Sequence, residues 1–375
     1  MRIAQLANFI GPSSGGMRTA VTALGRGYVA AGADRLLVVP GPRDRRQVTE
    51  AGEIVTVRSP RVGGGYRLIV EPWRVVEILE SFAPTSLEIS DKSTLVPVTR
   101  WARRAGVGTL LFSHERLDAM LTLRTGWSTG LTAPVSALNR VLVRRFDGIV
   151  VTSRFARSEF HDLAAAAGTP LHTVPLGVDL ETFRPVLSPP SRDGTLRLVH
   201  VGRLSREKSP HLAVATAVAL HTSGARVRLD VYGAGPHRHE LETIARDAPV
   251  VFHGHVPGRG ALSSAIARAD VALSVCPGET FGLAVLEALA SGTPVVTADV
   301  GGARELVDES SGAWAPAHPD LLADAVLEVA GRPRDERRAT ARRRAEAFPW
   351  DRTVEAMLTL HDGVGSLGRL SATSA

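Results

Sequence analysis

The chain of 375 residues has little lysine, a single cysteine and no long apolar run. Because Cys276 is the only cysteine, an internal disulfide is excluded, which fits a reducing cytosol. No apolar run approaches the roughly eighteen residues of a transmembrane helix. Residues 1–9 have the pattern of a strand, without the long apolar core and cleavage site of a secretory signal. These absences predict a cytoplasmic protein.

Lysine occurs at two positions, Lys92 and Lys208, among 44 basic residues. In so arginine-rich a chain, a retained lysine suggests a place where arginine does not fit. Lys208 and Arg203 lie in the loop that follows the apolar run 196–201, and Gly202 ends that run. An ammonium is a compact point charge and a guanidinium is a planar fork, so such a pair at the carboxyl end of a strand suits a diphosphate. The alternative is a solvated loop with ordinary charges.

Residues 276–294 predict a helix whose N-terminus can bind an anion. The helical run ends near Gly292, since glycine stops helices. The backbone amides of Phe281, Gly282 and Leu283 stand at its start, where unpaired amides and the helix dipole attract negative charge. Gly282 also lets a ligand approach the backbone closely.

Two acidic residues flank this predicted anion site. Glu279 and Glu287 are eight residues apart, about two helical turns, so we expect them on one face of the helix or its entry. A carboxylate beside a phosphate is unfavourable, but it accepts hydrogen bonds from sugar hydroxyls. Alternatively, Glu279 only complements the helix dipole. The alternative for Glu287 is a position on a solvated face of the helix.

These segments resemble those of a known family. Residues 277–287, Pro-Gly-Glu-Thr-Phe-Gly-Leu-Ala-Val-Leu-Glu, resemble the signature of the family-4 retaining glycosyltransferases, which have the GT-B fold. Gly202-Arg203-Leu204 with Lys208 is similar to the cation segment that binds phosphate in that family. Residues 174–185 are similar to its connector between domains.

The opening residues, 1–9 and 11–19, resemble a narrower subgroup, the GDP-mannose-dependent α-mannosyltransferases that act on lipid acceptors. This resemblance implies transfer of a hexose, with mannose from GDP-mannose favoured, to a lipid or glycolipid acceptor with retention of configuration. It implies no carboxylate nucleophile. It also implies no metal or other cofactor, because the two cations take the metal's place.

The resemblance gives each candidate residue a role. Arg203 and Lys208 stabilise the leaving diphosphate, with help from the helix amides. Glu279 holds hydroxyls of the donor sugar, and Glu287 holds the nucleotide ribose. His114, which follows a predicted strand, matches a histidine that contacts the donor sugar. The alternative for a lone histidine is a structural role.

Two further candidates lie in the first half of the chain. Gly15 and Gly16 follow the first predicted strand, in a loop that approaches phosphates or simply forms a tight turn into a helix. Asp91 and Lys92 follow another predicted strand. They contact the acceptor, or else Asp91 caps a helix and Lys92 is solvated.

Short buried strands alternate with helices, which predicts an α/β fold with parallel sheets. With the resemblance, this becomes a GT-B fold of two doubly wound Rossmann-like domains facing across a cleft. We expect an N-terminal acceptor-binding domain at 1–185, a nucleotide-sugar-binding domain at 186–348, a helix at 349–363 that crosses back to the first domain, and a disordered tail at 364–375. Strands are predicted at residues 3–9, 35–40, 87–90, 108–113, 148–152, 196–201, 226–232, 250–253, 271–275 and 294–297, and helices include 19–31 and 72–82.

The positive charge is concentrated in the first half. Residues 1–185 hold 23 basic and 16 acidic residues, a net of +7, whereas residues 186–375 hold 21 and 22, a net of −1. Arg140, Arg144 and Arg145 fall on one predicted helix. Such a surface suits peripheral contact with an anionic membrane, where each cation adds about 1 kcal/mol. Alternatively, the excess of arginine reflects only the composition of the chain. Binding of nucleic acid is not indicated, because no nucleic-acid-binding motif accompanies the charge.

Three other functions stay open on the sequence. A transferase could use a UDP-sugar and a soluble small-molecule acceptor. A nucleotide-sugar epimerase or hydrolase of the same fold would share the phosphate site but would need additional acid or base carboxylates. A non-catalytic protein would bind the nucleotide sugar without turnover, although the combination of Arg203, Lys208, Glu279 and Glu287 argues against it.

Overall fold

The computed structural model describes residues 1–8, 10, 15–62, 65–125, 132–186 and 193–373. Within these residues the chain forms two compact units, each on a mainly parallel sheet, which confirms the predicted α/β fold. Phe9 and residues 11–14 of the opening motif lie outside the described part. Residues 187–192, shortly after the predicted connector 174–185, also lie outside it. The first unit comprises Met1–Arg116, Thr132–Pro175 and Trp350–Ala375, and the second comprises Leu117–Leu131 and Leu176–Pro349.

In the first unit, the described residues form a sheet in the order β3-β4-β2-β1-β5-β6-β7-β8. Neighbouring strands are parallel except for the antiparallel pair β3 and β4. The strands are β1 Arg2–Leu6, β2 Asp34–Gly41, β3 Arg45–Thr49, β4 Gly52–Arg58, β5 Ser86–Ile89, β6 Gly108–Ser113, β7 Gly148–Val151 and β8 Leu171–Thr173.

In the second unit, the described strands follow the order β11-β10-β9-β12-β13-β14, and neighbours are parallel throughout. The strands are β9 Leu196–Val201, β10 Val227–Tyr232, β11 Val250–Gly254, β12 Val271–Ser274, β13 Val295–Ala298 and β14 Gly312–Ala315.

Helices connect these strands, as parallel sheets require. Short 3-10 helices lie at Arg206–Lys208 and Gly302–Leu306. The α-helices are α1 Gly16–Ala30, α2 Pro72–Phe82, α3 Val98–Arg104, α4 Leu117–Thr125, α5 Thr132–Val143, α6 Arg154–Arg157, α7 His161–Ala167, α8 Pro210–Thr222, α9 Arg238–Ala245, α10 Arg259–Ala267, α11 Leu283–Ala290, α12 Pro319–Gly331, α13 Arg334–Glu346 and α14 Trp350–Thr373. Among the described helices, none combines the length and the apolar content that spanning a bilayer requires.

The sequence explains the central strands and their helices. Strands β5, β6 and β7 are fully buried because helices cover both faces of a parallel sheet, so their residues need not alternate with polar ones. Helix α2 begins with Pro72, which needs no amide partner in the first turn, and is capped at its C-terminus by Ala83, which has a left-handed φ of 48°. Val75 and Leu79 bury its inner face, and each such side chain contributes about 1.5–3 kcal/mol when buried.

The candidate residues follow the carboxyl ends of these strands, where parallel α/β sheets bind ligands. In the second unit, β9 ends directly before Gly202, and β12 ends shortly before residues 276–282. In the first unit, β6 ends directly before His114.

The pair β3 and β4 was not predicted. Strand β3 is an edge strand whose residues are largely exposed, and Val48 is 84% accessible. Without one buried face the strand lacks the apolar alternation that marks strands in sequence.

Two boundaries differ from the predicted domains. The connector from Leu176 groups with the second unit, because the amide of Val178 donates to the carbonyl oxygen of Phe348 at 2.9 Å and Arg342 donates to the carbonyl oxygen of Phe183 at 2.9 Å. The residues of helix α4 fall within the predicted first domain, but the helix groups with the second unit, where it packs on the 3-10 helix Arg206–Lys208.

The described part of the C-terminal segment 364–375 also differs from its prediction as a disordered tail. Helix α14 continues through the Gly- and Ser-rich residues to Thr373. Val364 is buried, and its carbonyl oxygen lies so close to Gly108 that an added Cβ there would be 2.3 Å away. Packing at Val364 fixes the start of the segment for which composition alone predicts disorder. The helix groups with the first unit.

Candidate active site

The segment that follows β9 lies against a second glycine loop. The amide of Gly202 donates to the carbonyl oxygen of Tyr232 at 3.0 Å. A Cβ at Gly233 would come within 1.8 Å of the Gly202 carbonyl oxygen, and φ at Gly233 is 143°. The strict steric need for glycine therefore falls on Gly233, which the sequence analysis missed. The run Gly-Ala-Gly-Pro at 233–236, directly after a predicted strand, was a visible signal.

The two cations of the predicted phosphate segment are each paired with a carboxylate. Arg203 Nη1 lies 3.5 Å from Glu207 Oε1, which also accepts a hydrogen bond from Ser205 Oγ at 2.7 Å. Lys208 Nζ donates to Glu279 Oε2 at 2.8 Å. The structure thus brings Lys208 and Glu279 into contact, with Arg203 in the same turn.

Glu207 is a second residue that the sequence analysis missed. Burial raises the pKa of its carboxyl, but the hydrogen bond from Ser205 and the charge of Arg203 outweigh burial, so the pKa lies below its ordinary value. The carboxylate therefore stays ionised at neutral pH beside Arg203. Its spacing of four residues from Arg203 was the available signal.

Helix α11 begins at Leu283 and is capped by Gly282, whose φ is 102°. A Cβ at Gly282 would lie 3.1 Å from Val285 and 3.2 Å from Ala303, so glycine suits both the backbone and the packing there. Phe281 precedes the cap and is buried. The three residues therefore lie at a helix N-terminus, where amides and dipole favour an anion.

Glu279 and Glu287 occupy different surroundings. Glu279 lies before α11, and its carbonyl oxygen accepts from the amide of Gly302 at 2.6 Å. Glu287 lies within α11 and is 9% exposed, so it is not on a solvated face. Its Oε1 lies 3.2 Å from Arg259 Nη2.

Burial raises the pKa of Glu287 to about 7, with Arg259 lowering it and Asp179 raising it further. Arg259 also stacks over the Phe183 ring, with its guanidinium carbon 4.9 Å from the ring centre. The carboxyl is thus close to half-protonated at neutral pH, and a hydrogen-bond donor could shift that balance. Arg259 was not singled out from the sequence, because its partner lies 28 residues away along the chain.

His114 lies in the first unit. Its Nε2 is 3.0 Å from Ser90 Oγ, and its ring stacks on Phe112 at 4.3 Å between ring centres. Burial lowers the pKa of the imidazole to about 4, Glu88 opposes this, and Lys92 reinforces it. His114 is therefore neutral at physiological pH.

Asp91 does not cap a helix, because α3 begins at Val98 with Pro97 at its N-cap; Asp91 instead binds the backbone of the turns before α3. Its carboxylate accepts hydrogen bonds from the amides of Ser93 at 3.0 Å and Leu95 at 2.8 Å. Lys92, in contrast, is not solvated, because 10% of its side chain is exposed.

Gly15 caps α1, and Gly16 is its first residue. Gly15 has φ of −79°, and nothing lies within 4 Å of a Cβ added there. Neither conformation nor packing within the described residues requires glycine at position 15, and the phosphate contact stays a prediction.

Cys276 is a buried thiol. Its Sγ donates to the carbonyl oxygen of Glu207 at 3.2 Å. Burial, and then the nearby Glu279, raise its pKa to about 11. A thiol that stays protonated is a poor nucleophile, so Cys276 acts as a small buried residue.

Comparison with known proteins identifies the family. Residues 15–177 match the family model described as glycosyl transferase 4-like domain, and residues 195–331 match the model described as glycosyl transferases group 1. A Mycobacterium tuberculosis protein named GDP-mannose-dependent alpha-(1-6)-phosphatidylinositol dimannoside mannosyltransferase is 41% identical over 96% of this chain and 95% of its own. A glycogen synthase of the same species is 33% identical over 60% of this chain and 54% of its own.

Solved structures show the same fold. Sucrose-phosphate synthase from Thermosynechococcus elongatus aligns with a TM-score of 0.79 at 20% identity, over 98% of this chain and 99% of that chain. The Anabaena protein HepE, solved with UDP and glucose, aligns with a TM-score of 0.74 at 16% identity, over 96% and 99%. Together with the two family models, these likenesses confirm the resemblance found in the sequence: the chain belongs to the family-4 glycosyltransferases, which are retaining enzymes of the GT-B fold.

Proposed function

We propose that this enzyme transfers mannose from GDP-mannose to a phosphatidylinositol mannoside, with retention of configuration. The observation that carries the proposal is the 41% identity, over nearly the full length of both chains, to a protein whose name specifies that donor and that class of acceptor. The relative is matched along 95% of its length, so the likeness is not confined to one of the two segments that the family models match.

The chemistry of the second unit supports a diphosphate leaving group. In the described structure Arg203 and Lys208 are balanced by Glu207 and Glu279. A donor diphosphate would take over these cations, joined by the amides at the start of α11. Glu279, released from Lys208, would accept hydrogen bonds from hydroxyls of the mannose.

The proposed transfer step balances without a nucleophilic carboxylate. The bond between the anomeric carbon and the diphosphate oxygen breaks as the acceptor hydroxyl attacks from the same face. The departing phosphate oxygen takes the acceptor proton, and the cations stabilise the charge that develops on it. Because the cations already supply this positive charge, we propose that no metal or other cofactor is needed.

Three further roles belong to the proposal. Glu287 would accept hydrogen bonds from the ribose, which favours its ionised form and should tighten donor binding as the pH rises through about 7. His114 would meet a hydroxyl of the donor sugar. Gly15 and Gly16, at the exposed start of α1, would approach the phosphates.

We also propose that the enzyme docks on the cytoplasmic face of an anionic membrane, where a lipid acceptor can stay in the bilayer. Helix α5 supports this, because Arg140 on the helix and Arg144 in the turn directly after it are exposed, as is Val141, which is 48% accessible. Arg103 adds charge there, since its guanidinium lies 3.5 Å from the carbonyl oxygen of Arg144.

A transfer assay tests the proposed function. Purified enzyme is given GDP-mannose or UDP-glucose, with phosphatidylinositol mannoside micelles or a soluble glycoside as acceptor, in the presence of EDTA. We expect the glycolipid to gain one hexose from GDP-mannose alone, in an α linkage by NMR. Transfer from UDP-glucose to the soluble acceptor would replace the proposal with its alternative, and donor binding without transfer would indicate a non-catalytic protein.

A further inference from the structure

Lys92, the lysine of the first unit, is buried and its ammonium makes several hydrogen bonds. Lys92 Nζ donates to Glu159 Oε2 at 2.9 Å and Oε1 at 3.2 Å, and to the carbonyl oxygen of Glu115 at 2.7 Å. The exposed fraction is 10% for the Lys92 side chain and 2% for that of Glu159. The ammonium also lies 5.0 Å from the centre of the Phe160 ring.

This geometry explains why lysine is kept in an arginine-rich chain. Three oxygen atoms converge on one nitrogen, and an ammonium offers three donors from a single point. A guanidinium spreads its donors over a plane and cannot meet the same three acceptors in so small a space.

The contacts of Lys92 connect it to His114. Glu115, whose carbonyl oxygen Lys92 holds, directly follows His114 along the chain. Ser90, which contacts His114 Nε2, lies two residues before Lys92. Lys92 therefore ties the turn after β5 to the turn after β6, and the imidazole is held between them. With Nε2 engaged by Ser90, Nδ1 is the ring nitrogen that can meet a ligand hydroxyl.

We propose that Lys92 is a positioning residue for the transfer reaction, fixing the neutral imidazole of His114 where the donor sugar binds. The inference rests on the proposed function, because that function gives His114 its sugar contact. Lys92 itself touches no substrate in this account, since its donors are taken up by Glu159 and the backbone of Glu115.

The charges near His114 set the direction of the test. Burial lowers the pKa of His114, Lys92 lowers it further, and Glu88 from β5 raises it. Glu115 and Arg116 follow His114 in its own turn, and Glu159 balances Lys92. Removing the ammonium should therefore move the pKa of His114 upward from about 4, towards the ordinary value of histidine.

The test uses the double variant Lys92→Met with Glu159→Gln, so that no unpaired charge stays buried. Arg26→Met with Glu50→Gln is the matched control, because it removes the same two charges from an exposed pair in the same unit. His114 is titrated by NMR, its signal being assigned through its loss in His114→Ala, and transfer kinetics are measured in parallel.

We expect the pKa of His114 to rise in the Lys92/Glu159 variant and not in the control. We expect kcat/KM to fall about tenfold to a hundredfold, since a displacement of about 1 Å costs that much. In a His114→Ala background the same double change should add no further loss, and Lys92→Arg should not restore the wild-type rate.

An unmoved pKa with unchanged kcat/KM would overturn the inference, and so would an equal loss in the His114→Ala background. Failure of the proposed function is a separate result. If the wild-type enzyme transfers no mannose, the NMR titration still decides whether Lys92 controls His114, because it needs no substrate.

Discussion

The two lysines of this chain sit in contrasting ion pairs, one in each unit. The pair of Lys92 and Glu159 is buried, with 10% and 2% of the side chains exposed. The pair of Lys208 and Glu279 is half-open, with 34% and 18% exposed. The distances are almost equal, 2.9 Å and 2.8 Å, so length does not separate them.

Burial decides what each pair can do. A buried ammonium cannot give up its carboxylate without leaving a charge in a low-dielectric interior, so Lys92 is fixed. A half-exposed ammonium can exchange its carboxylate for a ligand at little cost, because water and ligand are both available. The comparison supports the two roles proposed above, positioning for Lys92 and ligand binding for Lys208.

The largest expected effect is on stability in the buried pair. Lys92→Met should lower the unfolding free energy by about 3–5 kcal/mol, because it leaves Glu159 buried without its counter-ion. Lys208→Met is the matched control and should cost less than about 1 kcal/mol. Urea denaturation measures the unfolding free energy of both variants. Equal losses of unfolding free energy would show that burial does not distinguish the two pairs.

The next largest effect is on turnover, and it concerns Lys208 of the half-open pair together with Arg203. Lys208→Ala and Arg203→Ala should each lower kcat about a hundredfold to a thousandfold, because each removes one group that stabilises the leaving diphosphate. Circular dichroism should show an intact fold. Near-normal turnover in either folded variant would remove the leaving-group role from that residue.

Glu287 extends the comparison of buried and open charges, because it is a buried acid whose charge varies with pH. Its carboxyl has a pKa of about 7 when folded and about 4.5 when unfolded, so the folded state binds the extra proton between these values. The free energy of unfolding should therefore fall as the pH rises from about 4.5 to about 7, by at most about 3 kcal/mol. Urea denaturation at pH 5 and pH 8 should show this fall in wild type relative to Glu287→Gln. Parallel profiles would contradict the raised pKa.

The smallest effect belongs to fully exposed charges. Arg140→Ser with Arg144→Ser should weaken binding to anionic vesicles by about 2 kcal/mol, roughly thirtyfold, since each cation near the surface adds about 1 kcal/mol. Co-sedimentation at low and high salt measures this, with neutral vesicles and Arg238→Ser of the second unit as controls. Equal pelleting with anionic and neutral vesicles would leave the arginine excess as composition.

Much of the fold followed from the sequence because buried parallel strands have apolar runs that end at glycine or a polar turn. Strands β6 and β9 and helix α2 lie at their predicted bounds. Strand β3 escaped prediction because it is an exposed edge. The C-terminal extension of α14 was not predicted, because its glycines and serines favour disorder and the sequence does not show that Val364 is buried against Gly108.

Local spacing in the sequence predicted which site residues lie near strand ends, but it could not predict partners that meet only in three dimensions. The link between Lys208 and Glu279 spans 71 residues, and that between Lys92 and Glu159 spans 67. For Lys92 the sequence therefore left open an acceptor contact or a solvated side chain. For Glu287 it left open a contact with the ribose or a solvated helix face, because helical spacing does not tell which face is buried.

The central claim, that Arg203 and Lys208 hold the diphosphate of a guanosine nucleotide, is tested most directly by thermal unfolding with nucleotides in EDTA. A ligand at about a hundred times its Kd stabilises the native state by about 2.7 kcal/mol. We predict that GDP raises the Tm more than UDP or ADP does, and that Lys208→Met abolishes the rise while Lys92→Arg keeps it. Greater stabilisation by UDP, or a GDP effect that requires magnesium or survives Lys208→Met, would contradict the account.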